Sequence, residues 1–429
     1  QKTGRVWLDK ALILELAAKA PAQFTLRARN PAHSLTFGGN HINFATVGAA
    51  PYYADLDQGR RPGTLADFQQ MVKLAQICTP IHVIEGLFVE PQDIAVDQRN
   101  LEKGLTVFAH SDKVMTTAAH DRIVAQDYVN MAAIVFGGLN SIRNQPVFAS
   151  NVNVNSPLRF DDRMLGALMV YARNGQPCII TPFILAGAMG PITLAGAIAQ
   201  QNAEALAGIV LTQLVNPGVP VFYGGFTTNI EMQSGSPAFG TPEGAMALLA
   251  GAQLARRYKL PYRGSGGLNS AKTPDAQAAF ETQMTLWPAV MAHTNLVFHS
   301  AGWLESGLVC SLEKFILDVE GLAMMHIFLG GIDVSEDNLA LDMIAEVGPG
   351  GHHLGTSHTM ARFRNGFYRP IVADRLNYET WREAGGWDAA RRANQVAKDL
   401  LAQYEQPELD TAVADELNAY VQRRKAELP

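Results

Sequence analysis

The run Gly348-Pro349-Gly350-Gly351-His352-His353-Leu354-Gly355-Thr356-Ser357-His358 is the most unusual in the chain. Glycines let a backbone approach a ligand closely, and His352 and His358 can donate hydrogen bonds, shuttle protons or bind metal. A tight zinc site would need further ligands from distant parts of the chain, and no cysteine lies close in sequence, so no metal is expected here. The plainer alternative is a glycine-rich loop whose histidines only satisfy backbone carbonyls.

A second group is aromatic. Tyr52, Tyr53, Tyr223, Phe226, Phe239 and Trp303 fall near expected strand ends, with the carboxylates Glu231 and Glu305 close to two of them in sequence. Taken singly, each ring suits core packing. Gathered at one opening, they suit a cationic ligand held by cation–π and charge attraction. No glycine-rich nucleotide-binding frame follows a strand, Gly264-Ser265-Gly266 lacks the frame of a nucleophile elbow, and no residue reads as a covalent nucleophile. Lys113 and Lys272, the lysines a Schiff-base aldolase or lyase would call on, sit in polar contexts expected to be exposed.

These groups need a scaffold, and the composition supplies one. The chain has 429 residues, 48% apolar and 17% charged, enough for a large buried core and too apolar for a disordered protein. The charge balance, 34 minus 40 or −6, argues against nucleic acid or an acidic membrane surface as partner. Cys78, Cys178 and Cys310 have no close pairing, which points to a reducing compartment, and the opening QKTGRVWLDK has no signal-peptide pattern, so a cytoplasmic protein is expected. Cys178 to Ala199 lacks charge but is broken by Pro182, Gly187, Gly190 and Pro191; it reads as a strand, a turn and a core-facing helix rather than a membrane span.

Short β-type runs alternate with longer helical segments. Strands are expected at Ile81–Phe88, Leu105–Ala109, Pro146–Val154, Cys178–Ile184, Pro220–Tyr223, Leu260–Arg263 and Leu296–Ser300, with another near Ser34–Thr46. Helices are expected at Asp121–Val135, Asp161–Arg173, Ile192–Val215, Pro242–Tyr258, Pro274–Ala292 and Ser311–Phe328. Thr241-Pro242-Glu243 and Thr273-Pro274-Asp275 each read as a hydroxyl cap, a first-turn proline and a carboxylate. Polar or turn-forming groups follow the apolar runs: Glu85, His110-Ser111-Asp112, Asn151 with Asn153 and Asn155, Gly224 to Thr227, Arg263 to Gly267, and His299 to Trp303. A closed barrel would bring such ends to one mouth, which favours an α/β fold of the (β/α)8 TIM-barrel type over an open doubly wound sheet. The expected partition is an N-terminal extension over 1–79, the barrel over 80–345, and a Gly/His-rich cap with C-terminal helices over 346–429, the glycine-rich part folding back over the mouth.

Several separated phrases then carry a resemblance. Arg61-Pro62-Gly63-Thr64-Leu65-Ala66-Asp67-Phe68, TPFILAGAMGPITLAGAIAQQNAEALAG from Thr181, VFYGG and GSPAFGTPE after Val221, AGWLESGL from Ala301, EKFILD from Glu313 and GPGGHHLGTSHT from Gly348 occur in an order similar to that of the trimethylamine methyltransferase family. The likeness spans roughly residues 30 to 380. It implies a (β/α)8 barrel that moves a methyl group from a methylated amine to the cobalt of a separate corrinoid protein. Family members that act on trimethylamine itself carry pyrrolysine, expected near AGWLESGLVC; this sequence has only standard residues and resembles the branch that demethylates quaternary amines such as glycine betaine.

That division has a chemical reason. A quaternary nitrogen leaves as a neutral tertiary amine and needs no proton. In this reading Co(I) is the nucleophile, carried by the partner rather than bound tightly by this chain, whose sequence lacks the Asp-x-His-x-x-Gly pattern of many corrinoid modules. Phe226, Glu231 and Trp303 are expected around the ammonium, with Arg263, His352 or His358 on a substrate carboxylate. A homo-oligomer is a further expectation from the family. The competing readings are a quaternary-amine-binding barrel without catalysis and a small-metabolite lyase or aldolase.

Overall fold

In the computed structural model, which describes residues 4–428, the alternation closes on itself. The barrel strands are β1 (Asn43–Phe44), β2 (Val83–Glu85), β3 (Val114–Ala118), β4 (Phe148–Val154), β5 (Cys178–Ala186), β6 (Val221–Gly224), β7 (Tyr262–Ser265) and β8 (Leu296–Phe298), each parallel to its neighbours. β8 pairs with β1 through Leu296–Asn43 and Val297–Phe44, and the ring is completed where Ala45 bridges Val83 and Thr46 N–H donates to the Val83 carbonyl at 3.1 Å. The strand expected near Ser34–Thr46 is therefore β1, and it lies within the stretch expected to be an extension. So does the first helix.

Eight helices return between the strands: α1 (Leu65–Ile77), α2 (Arg99–His110), α3 (Arg122–Val135), α4 (Asp162–Arg173), α5 (Leu194–Val215), α6 (Pro242–Tyr258), α7 (Ala276–Met291) and α8 (Leu312–Leu329). Short polar side chains start most of them: Thr64 with Asp67 forms a reciprocal capping box on α1, Asp121 accepts from Ile123 and Val124 N–H, and Ser311 accepts from Lys314 N–H. Thr241 and Pro242 open α6 as expected. For α7 the cap is instead Asp275, which accepts from Ala278 N–H, so Thr273-Pro274 is the approach to the helix. Asp can reach the N3 amide as readily as Thr, and it stands two residues nearer the apolar periodicity.

One expected strand is a helix. Leu105–Ala109 lies in the last turns of α2, where Leu101, Val107 and Phe108 are buried together, and the strand is the following Val114–Ala118. A five-residue apolar run cannot tell strand from helix; the wider helical spacing decides it. The shift moves His110-Ser111-Asp112 away from the mouth. Asp112 sits at the opposite rim, bonded to His33 at 2.6 Å and Gln76 at 2.8 Å.

That opposite rim is closed. An antiparallel hairpin, Gln23–Leu26 with Leu35–Gly38, brings Phe24 and Phe37 edge-on to Phe222 inside the barrel, both at 5.2 Å between centroids. Leu26, Ala45, Val83, Val114, Ala149, Ile179, Leu296 and Phe298 complete this buried layer. Lys113 belongs here too. It is not exposed as expected: its ammonium caps the Ala75, Cys78 and Ile81 carbonyls at 2.7 to 3.0 Å, and burial pulls its pKa down to about 8. With one end plugged, small molecules have access from the other.

Two C-terminal helices brace the wall. Ala389–Ala402 packs on α8 and α1, and Thr411–Glu427 packs on α2 and α3, where Tyr420 and Arg424 both bond Asp127. Residues 346–367, expected to fold over the mouth, instead belong to an exposed arm that leaves from the end of α8. Among the described residues no helix is long and apolar enough to cross a membrane, and the three cysteines are buried free thiols.

Candidate active site at the barrel mouth

The mouth is built from inward-facing residues at the carboxyl ends of the strands, extended by two loop structures. β6 breaks at Gly225 and continues as Phe226–Ile230, which pairs in parallel with the long end of β5 and carries Phe226 beside Phe183. Glycine is needed at the break, because a Cβ on Gly224 would stand 2.3 Å from the Ile180 carbonyl oxygen. Opposite, the loop after β8 forms a small sheet in which Trp303–Leu304 pairs with Val309–Ser311, which in turn pairs with Tyr52–Asp55.

These two loops bring a group of rings together. Phe226 lies 5.4 Å from both Phe239 and His299, Phe239 stacks with Trp303 at 6.0 Å, and His299 stacks on Trp303 at 3.8 Å with 16° between planes. His299 is buried, and its Nδ1 lies 3.2 Å from the Ser265 hydroxyl. Burial, then the nearby Arg263, hold its pKa well below the usual histidine range. At neutral pH it is an uncharged ring.

Arg263 lies beneath these rings, 2% exposed. Its guanidinium is over the Phe298 ring at 4.3 Å and over Phe226 at 5.5 Å, and it donates to the Ser265 hydroxyl at 3.3 Å and the Gly225 carbonyl at 3.5 Å. Among the described residues it makes no salt bridge, and its Nε has no partner. Burial lowers its pKa to about 10, against the pull of Glu85, so it stays cationic at neutral pH. A buried guanidinium with a free donor is a ready partner for an anion.

Glu85, at the end of β2, is the nearby carboxyl group. It accepts from the Thr116 hydroxyl at 2.5 Å. Burial pushes its pKa up to about 7, a rise that Thr116 and Arg263 only partly oppose. The same rim carries Asn151, which accepts from Thr181 at 2.7 Å and donates to Asn153 at 2.8 Å. The mouth thus offers an aromatic enclosure, a cation below it, and a carboxyl group poised between its two protonation states.

Of the six residues expected around a substrate, the structure gathers Phe226, Arg263 and Trp303. Glu231 is exposed at the turn of the Phe226–Ile230 hairpin, where its carboxylate receives the Gln233 N–H. His352 and His358 lie on the arm, whose side-chain hydrogen bonds between residues 333 and 362 run within the arm itself. Their spacing was distinctive, but spacing says nothing of where a long excursion travels. Glu85, His299 and Phe183 were absent from the expected six. Glu85 and His299 did carry a signal, as polar residues directly ending an apolar strand. Among the described residues no group of three or more histidine, cysteine or acidic side chains converges as a metal site would require.

The family model for trimethylamine methyltransferase matches residues 2–429. The chain belongs to that family. It is 42% identical to the glycine betaine methyltransferase of Desulfitobacterium hafniense strain Y51, over 99% of this chain and 88% of that one. It is 30% identical to the trimethylamine methyltransferase MttB of Desulfitobacterium hafniense strain DSM 10664 / DCB-2, over 99% and 86%. Among solved structures, the hydroxylamine complex of MtmB superposes with a TM-score of 0.57 at 9% identity, over 94% of this chain and 82% of that one, a likeness of fold. These two relatives differ in the substrate they are named for.

Proposed function

We propose that this methyltransferase takes a methyl group from a quaternary amine bearing a carboxylate, of the glycine betaine type, and passes it to the Co(I) corrinoid of a separate protein. The observation that carries the reading is Arg263, a buried cation without a salt-bridge partner, directly beneath the ring enclosure of Phe226, Phe239, His299 and Trp303. A zwitterion with its ammonium among the rings and its carboxylate on Arg263 fits both halves. Trimethylamine would use only the first. The greater identity to the relative named for glycine betaine supports the same choice.

In this mechanism the barrel positions and shields. Co(I) donates an electron pair to the methyl carbon, a cobalt–carbon bond forms as the carbon–nitrogen bond breaks, and the nitrogen keeps the bonding pair, leaving as a neutral tertiary amine. No proton is required. Because the positive charge on nitrogen disappears in the transition state, a strong anion beside it would favour the ground state and raise the barrier. Neutral rings bind the cation more gently, and a neutral His299 serves as one of them. The AGWLESGLVC phrase, where the family's pyrrolysine was expected, forms the loop carrying Trp303, so this edge of the mouth is built of ordinary side chains.

The test is methyl transfer to reduced cobalamin or a corrinoid protein, followed in the cobalt spectrum, with glycine betaine, carnitine, choline and trimethylamine as donors. Methylation by betaine ahead of choline supports the proposal. Methylation by trimethylamine alone overturns it, and betaine binding by calorimetry without any transfer would instead mark a binding protein.

A further inference from the structure

Two ionisable groups share the mouth from separate parts of the ring. Glu85 ends β2 and is 3% exposed; Arg263 lies on β7, with β8 and β1 between the two strands. Among the described residues they form no ion pair with each other, yet each acts on the other's charge: Arg263 draws the Glu85 carboxyl down, and Glu85 holds the guanidinium up. The space between them is open to a third group.

The other groups that face Glu85 are already engaged or uncharged. Lys103 of α2 is fully buried and donates to both oxygens of Glu90, at 2.7 and 3.1 Å, so its charge is matched. Tyr128 of α3 is a phenol that burial keeps neutral. Nor can the Glu85 side chain swing out to water. Its Oε2 accepts from the Thr116 hydroxyl at 2.5 Å and its N–H donates to the Thr46 hydroxyl at 2.9 Å. Its stem lies so close over Gly48 that a Cβ there would stand 2.6 Å from the Glu85 Cγ. A carboxyl group pinned in this way can answer a second carboxylate only by taking up a proton.

We propose, resting on the assignment of the substrate carboxylate to Arg263, that Glu85 is a specificity-determining residue, which admits a carboxylate-bearing amine by taking a proton from solvent as that amine binds. Two carboxylates in one buried mouth cannot both lean on a single unpaired cation, so one of them is neutral. A carboxyl group beside a quaternary nitrogen is the stronger acid, and the proton therefore goes to Glu85. An amine without a carboxylate makes no such demand, and ionised Glu85 attracts it. The proton also removes a fixed anion from the mouth in which the positive charge on nitrogen is to vanish.

Calorimetric titration of the full chain with glycine betaine at about pH 8, in two buffers of different ionisation heat, counts the protons exchanged. Uptake approaching about one proton per betaine is expected, against none, or a release, for choline. Betaine affinity should fall roughly tenfold per pH unit above about pH 7, where Glu85 of the free protein ionises, while choline affinity holds or rises. Glu85→Gln should abolish the uptake and level the betaine profile. Betaine that binds without proton uptake, or uptake that persists in Glu85→Gln, overturns the role of Glu85 and leaves the pairing of the carboxylate with Arg263 standing. Betaine that does not bind at all overturns both. Should Glu85→Gln misfold, the proton count on the wild type, betaine against choline, decides alone.

Discussion

The imidazole of His299 lies parallel to the indole of Trp303, 3.8 Å between ring centres, across a turn of four residues. The chain achieves this by turning sharply, with positive φ at His299 (60°) and at Gly302 (108°). A left-handed conformation at a residue other than glycine costs energy, and here it delivers a polar ring into the mouth. The pair is the wall on which the proposed ammonium rests.

Replacing Trp303 tests that wall. Trp303→Leu should lower kcat/KM for the quaternary amine by roughly 5- to 10-fold, the loss of about 1 kcal/mol of cation–π attraction, whereas Trp303→Phe should keep most of it. Steady-state methyl transfer measures both. Equal losses in the two variants would mean that volume matters there rather than the ring.

For Arg263 the discriminating measurement is a ratio. Arg263→Gln should raise KM for betaine by about 30- to 150-fold, a charge-assisted pair being worth roughly 2–3 kcal/mol, and leave choline nearly unchanged. The preference for betaine over choline would collapse. An equal effect on both substrates would deny Arg263 a role in carboxylate recognition.

Glu85 should make stability depend on pH. Its folded pKa is raised by burial from 4.5 to about 7, so below 4.5 it contributes nothing; as pH climbs toward 7 the unfolded chain ionises while the folded one holds its proton, and stability falls. The full loss is at most about 3 kcal/mol and is complete above pH ~7. Denaturant titrations of wild type and Glu85→Gln should diverge across this window, the variant lacking that share of the decline. Parallel curves would place Glu85 in ordinary solvent.

Behind the Trp303 loop, Asp318 on α8 accepts from Gly302 N–H at 2.8 Å and pairs with the buried Lys314. Asp318→Asn leaves that ammonium unpaired and should cost about 3 kcal/mol, with a raised KM as the loop loosens. Lys314→Met should cost less, because Asp318 can take a proton and keep its bond to Gly302. Thermal unfolding of both variants checks the order.

Local physics was legible in the linear chain. The alternation of apolar runs with capped helices announced the barrel, since periodicity and capping involve residues within a few positions of one another. Thr241 with Pro242 acted where they stood in sequence, and the phrases that resemble the methyltransferase family fell on barrel strands, helices and mouth loops, GPGGHHLGTSHT on the arm excepted. Ambiguity entered where the signal was short, as at Leu105–Ala109, which the surrounding helical spacing claimed, and at Thr273-Pro274, where Asp275 took the cap.

Closure of the ring decided the rest. Residues as distant as Glu85, Arg263 and His299 share one mouth because β8 pairs with β1, a long-range event that no local pattern encodes. The same geometry set Lys113 and Asp112 at the plugged end and carried His352 and His358 away on an arm. Composition could name the chemical groups; only the barrel's shape could say which of them face the same few ångströms of space.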